Sequence, residues 1–156
     1  MRLSEWLNLG LLVATLSGVA VALHTTTRQI AILKKQLIIQ NFAEYTRRYQ
    51  DLLLMFPEDI NVPTFALDGR SDRDKVMRVM RAYFDMCSEE YYLRSHDLID
   101  FRVWQIWQEG MTFAIGKRAF SDAWSKIQKD SQYDSEFRGF VNARTAKSVE
   151  SRSTED

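Results

Sequence analysis

At 156 residues the chain allows one modest domain and an additional segment. Its hydrophobic fraction is 46% and its charged fraction 27%, with a formal net charge of zero. That balance argues against nucleic acid as a partner, because a phosphate-binding surface carries a basic excess. The one cysteine, Cys87, excludes an internal disulfide scaffold and is weakly consistent with a reducing compartment.

Taken in chain order, the first feature is the run Trp6 to Leu23, WLNLGLLVATLSGVAVAL, which contains no charge. As a helix at roughly 1.5 Å per residue it spans about 27 Å, close to the hydrocarbon thickness of a bilayer. Its polar residues are Asn8, Thr15 and Ser17, and helices accommodate such hydroxyls by bonding them to their own carbonyls. Trp6 stands where an interfacial aromatic belongs. A cleaved signal peptide is the competing reading, since Ala20-Val21-Ala22 resembles a small-residue cleavage site. Against it, Arg2 is offset by Glu5, the apolar run is longer than usual, and basic sequence follows directly. The expectation is therefore a retained transmembrane anchor over residues 1–24.

The flanks predict orientation. Arg28, Lys34 and Lys35 follow the run, then Arg47 and Arg48, with no acid between Glu5 and Glu44. Positive charge stays cytoplasmic, so the N-terminus is expected outside and the rest of the chain on the cytoplasmic side of the inner membrane. Arg28, Lys34 and Lys35 are candidates for contact with anionic headgroups. Within the run, Gly10, Ala14, Gly18 and Ala22 recur every fourth residue, a strip of small residues that lets a second helix approach closely. His24, four residues after Ala20, has the spacing by which membrane helices ligate chlorophyll-type pigments, but a lone interfacial His is ordinarily only a polar boundary residue.

Thr25 to Phe56 contains neither Pro nor Gly, and Ile38, Phe42, Tyr45, Tyr49, Leu52 and Phe56 form one helical stripe. A long juxtamembrane helix over 25–56, continuous with the anchor, is predicted, with Pro57 ending it. Residues 57–71 hold both prolines and the Asp68-Gly69 turn signal and read as a surface loop. Ser71 is the expected N-cap of a helix from Asp72 to about His96, burying Val76, Met80, Tyr83, Cys87 and Tyr91. In that phase Cys87 reads as a small buried hydrophobe rather than a nucleophile or redox sensor. Asp74–Arg78 and Glu90–Arg94 are expected as ion pairs on its wet side. Asp100 caps the next helix, which ends near Gly116 and presents Phe101, Trp104, Trp107, Met111 and Ala114 on one face. Shorter helices follow around Phe120, Trp124 and Ile127, and around Phe137, Phe140 and Val141. Residues 72–145 thus read as a bundle packing on the long helix, and the polar tail 146–156 as disordered. The fold class is all-α: one N-terminal transmembrane helix, a continuous cytosolic helix and a small helical bundle.

Chemistry is not written in this pattern. Only His96 remains as a metal-ligating imidazole outside the apolar run, and Glu89 and Glu90 do not stand at Glu-x-x-His spacing from it. Ser95-His96-Asp97 has the letters of a catalytic triad, but adjacent residues point apart whereas a triad converges in space. No phosphate loop or dinucleotide fingerprint occurs. Phe101, Trp104, Trp107 and Trp124, with Phe113, Phe120 and Phe137, read as core aromatics, because a small domain needs large side chains to bury enough area; the alternative is a ligand groove.

The stretch Phe84 to Met111, FDMCSEEYYLRSHDLIDFRVWQIWQEGM, resembles small bacterial single-pass membrane proteins grouped as a domain of unknown function. Glu89, Glu90, Tyr91, Val103, Trp107, Gly110 and Met111 are the matching positions. The resemblance implies architecture only: an N-terminal anchor and a helical cytosolic domain. The functional expectation is a non-catalytic interaction protein or accessory subunit of a membrane assembly, without cofactor, meeting a protein partner or a second copy through its membrane helix. A membrane-tethered enzyme or effector at the inner face, and a pigment- or cofactor-binding subunit, are the alternatives.

Overall fold

The computed structural model describes the chain from Arg2 to Ser153, with side chains for all of these residues except Glu5 and 147–153. Five α-helices account for the architecture, and the described residues contain no strand. They are α1 (Leu3–Met55), α2 (Arg73–Ser95), α3 (Phe101–Ile115), α4 (Arg118–Asp130) and α5 (Ser135–Ser153), with a 3-10 turn at Glu58–Asn61. The chain divides into two compact units, Met1–Ala43 and Glu44–Asp156. The long juxtamembrane helix expected over 25–56 is therefore shared: its last part belongs to the bundle.

The uninterrupted course of α1 follows from its sequence. Nothing between Thr25 and Phe56 removes a backbone donor or favours a turn, and the helix stops just before Pro57, where a pyrrolidine ring could not continue it. In the first unit the helix stands with its apolar side chains exposed, from Leu3 through Leu23 and on to Ile39. In the second unit Tyr45, Leu52 and Phe56 are partly buried against the core, as the stripe predicts.

The segment after Pro57 is not a plain surface loop. Ile60, Phe65 and Leu67 are buried in the core cluster. Arg70 ties the segment together: its guanidinium meets Asp59 at 2.7 Å and Asp72 at 2.8 Å and lies over the Phe65 ring, 4.8 Å from its centroid. Gly69 sits at φ +87°, a conformation that glycine adopts without strain. The same Arg70 contact corrects the expected cap of α2. The N-cap is Asp72, not Ser71, and it makes no side-chain capping bond because its carboxylate is engaged by Arg70. Asp100 does cap α3, its Oδ1 accepting from the Arg102 backbone N–H at 2.8 Å.

Helices α2 and α4 supply the centre of the core through Val76, Met80, Tyr83, Phe84 and Cys87 on one and Ala123, Trp124 and Ile127 on the other. Ring contacts knit them: Phe84 to Trp124 at 4.8 Å, Tyr83 to Phe120 at 5.1 Å, and Trp124 to Phe137 of α5 at 5.9 Å between centroids. Helix α5 runs on through Ser153, into the segment read as a disordered tail. No Pro or Gly stands between Ala146 and Ser153 to stop it, so the helix begun by Phe137, Phe140 and Val141 continues without an apolar face; residues 154–156 lie outside the described residues.

Candidate functional site: an exposed apolar helix and a buried carboxyl

The first unit presents surface and little else. Among the described residues one helix is long and apolar enough to cross a membrane, with mean hydropathy 1.9 and none of that stretch buried. Its hydroxyls turn inward on the backbone: Thr15 Oγ1 donates to the Leu11 carbonyl at 2.8 Å, and Thr25 Oγ1 to that of Val21 at 2.9 Å. These two hydroxyls are thereby satisfied without water, an arrangement suited to an apolar medium. Gly10 and Gly18 have no atom within 4 Å of where a Cβ would stand, so the small-residue strip they form with Ala14 and Ala22 is open. Arg28, Lys34 and Lys35 are likewise exposed, as is His24.

In the second unit the aromatic residues separate by burial. Trp104 and Trp124 are core residues, and Trp107 is half-buried with its ring 5.0 Å from that of Tyr45. Phe101 is not a core residue: it is 56% exposed, with the Arg94 guanidinium 5.6 Å from its ring centroid. Phe113, 67% exposed, is covered by the Lys117 ammonium at 4.2 Å. Phe101 stands at the margin of the stripe on α3 and Phe113 on the opposite side of the helix, and a cation over an exposed ring recovers part of what burial would have provided.

The Ser95-His96-Asp97 letters are the end of α2. Asp97 adopts φ +53°, and the Leu98 and Asp97 N–H groups close on the carbonyls of Leu93 and Arg94 at 2.8 and 3.1 Å, a left-handed helix stop. His96 Nδ1 lies 2.9 Å from the Tyr92 carbonyl and 3.0 Å from Ser95 Oγ, while Asp97 pairs with Arg94 at 3.0 Å. The three side chains therefore do not converge as a triad. A groove of about 420 Å³ beside them is lined by Tyr91, Tyr92, Ser95, His96, Asp134 and Glu136. Among the described residues no group of three His, Cys, Asp or Glu is placed to hold a metal ion.

Glu90 is where the structure departs furthest from expectation. In place of a wet-side pair with Arg94, it is the one buried charged residue described, 4% exposed; Arg94 turns to Asp97, and Asp74 meets Arg73 at 3.3 Å rather than Arg78. Arg48, whose charge acts on Glu90, donates instead to Glu89 at 2.7 Å, and Tyr45 Oη also reaches Glu89, at 3.4 Å. Burial pushes the Glu90 carboxyl up to about 8; Arg48 opposes the shift and Glu89 adds to it. Burial likewise holds the Cys87 thiol well above its usual range, which keeps it protonated and unreactive. The signal for Glu90 was present in the spacing, since it falls seven residues after Tyr83 and three after Cys87 on the buried face, but its charge hid it.

Compared with known proteins, the chain matches no family model, no curated protein and no solved structure.

Proposed function

We propose that this chain is a single-pass protein of the inner membrane, with its N-terminus outside and its helical domain in the cytoplasm, acting without catalysis as an interaction module or accessory subunit of a membrane assembly. The observation that carries the reading is the charge-free stretch Trp6–Leu23 of α1, all of whose described side chains are exposed. That much contiguous apolar surface has no stable place in water. Internally bonded hydroxyls and a flank of Arg28, Lys34 and Lys35 fit a bilayer and its cytoplasmic face. The small-residue strip supports contact with another membrane helix, either a second copy or a partner subunit. In the bundle the Ser95, His96 and Asp97 side chains do not converge and Trp104 and Trp124 serve the core, which favours an interaction role over a reaction.

Topology and association test this together. A reporter active only outside the cytoplasm, fused after Asp156, is expected to be silent in intact cells, and the mature protein to retain its first residues. An active reporter, or a mature chain beginning after Ala22, refutes the topology. Gentle detergent extraction is expected to recover the chain with a defined partner or as an oligomer; a monodisperse monomer refutes the assembly role.

A further inference from the structure

Where the last turns of α1 join the bundle, α2 carries a buried acid, Glu90, for which no ion pair is described. The segment Glu44–Phe56 rests on α2 through Tyr45 and Arg48 on Glu89 and through Tyr49 and Phe56 on the Tyr83 ring, at 6.5 and 6.4 Å between centroids, and it also meets Trp107 of α3 through Tyr45 at 5.0 Å and Phe120 of α4 through Phe56 at 5.5 Å. Glu90, 4% exposed, stands next to Glu89 and seven residues after Tyr83, on the same face of α2. The ionisable groups whose charge acts on it are Tyr45, Arg48 and Tyr49 from α1 and Tyr83, Cys87 and Glu89 from its own helix. Only Arg48 is a cation, and its guanidinium is committed to Glu89. Burial holds both Tyr49 and Tyr83 in their neutral forms, and Cys87 likewise. A neutral Glu90 is compatible with these surroundings. An ionised one has no dedicated counter-ion and a carboxylate neighbour, so it gains by reaching water.

We propose that Glu90 is a proton-operated switch on this seat: protonated, it lets the Glu44–Phe56 segment stay docked on α2, and ionised, it releases that segment while the rest of the bundle stays closed. The step is a simple loss of a proton to solvent, with no other bond made or broken. The sign follows from the direction of the shift. Glu90 holds the proton more tightly with the segment docked than with it released, so docking is strongest at low pH. It weakens by up to about tenfold per pH unit as pH rises from the ordinary carboxyl range toward 8, and levels off above. The switch does not depend on the membrane reading, because every group named lies in the second unit.

The test uses the full chain in detergent micelles, spin-labelled at Gln50→Cys on the segment and Arg78→Cys on α2, both exposed positions, with buried Cys87 left in place. The expected result is a short, narrow distance at pH 5.5 that lengthens and broadens at pH 9 and returns on re-acidification. Glu90→Gln, or Glu90→Met should the first fold poorly, is expected to keep the short distance at both pH values, while Glu89→Gln, which frees Arg48 to meet an ionised Glu90, is expected to weaken the pH response. A second pair, Arg78→Cys and Lys129→Cys across α2 and α4, is expected not to change. An unchanged first distance in the parent overturns the proposal. So does a pH response that survives in Glu90→Gln, or a second pair that lengthens too, which would mean that the whole bundle opens.

Discussion

Trp124 gathers more of the core than any other side chain its helix contributes. It is 1% exposed, its ring lies within 4.8 to 5.9 Å of Phe84, Tyr133 and Phe137, and its Nε1–H donates to Asn142 Oδ1 at 2.8 Å. Trp124→Ala is expected to cost about 3–5 kcal/mol, from lost burial and the cavity left behind. Phe101→Ala removes a ring that is mostly in water and is expected to stay within about 0.5 kcal/mol of the parent. Chemical or thermal unfolding of the full chain in detergent distinguishes them; equal losses would return Phe101 to the core. The sequence placed both on apolar stripes, and only one is buried. A stripe has edges, and which residue falls on the edge depends on how closely the neighbouring helix approaches, a distance that spacing along one chain does not contain. Glu90 is the converse: its phase put it inside, and its charge argued it outside.

At the scale of the element, α1 presents two different surfaces on one helix. Its last turns have partners within the chain, and its first turns have none described. Gly18→Leu tests the difference. Nothing lies within 4 Å of a Cβ at Gly18, so the larger side chain meets no obstacle within this chain, and hydrophobicity and span length are kept. Any lost association then belongs to a second helix. The expected outcome is a loss of the crosslinked species in native membranes, with Leu12→Ala, on another face, retaining it. If both keep the parent's crosslinks, association rests on the bundle alone. The ends of elements were legible where chemistry is local: Pro57 ends α1, and Asp100 caps α3 through its own neighbour's N–H. The cap of α2 was not, because Arg70 draws Asp72 away from the helix end, and Arg70 is placed by Asp59 and Phe65.

Taken as a whole, the molecule should respond to pH from both sides. Asp68, Asp72 and Asp130 are held below the usual carboxylate range by Lys126, Arg70 and Arg81 respectively. Their contribution is fully present above the ordinary value near 3.8 and is lost as pH falls through the lowered one. Glu90 acts oppositely, since its raised carboxyl costs the folded state progressively as pH climbs from about 4.5 toward 8. Thermal stability of the full chain is thus expected to be greatest in the mildly acidic range. Glu90→Gln should flatten the alkaline side and leave the acid side unchanged; a parent equally stable at pH 5 and 8 would contradict this. All-α architecture, the continuous apolar helix and the helix order were determined by the sequence alone, because breakers, caps and a 3.6-residue period act over one or two turns. Tertiary structure alone decided that Ile60, Phe65 and Leu67 pin the loop after Pro57, that Phe101 stays in water and that Glu90 does not. Those outcomes depend on which surfaces meet, and a side chain's burial is a property of the neighbours that cover it rather than of its own place in the chain.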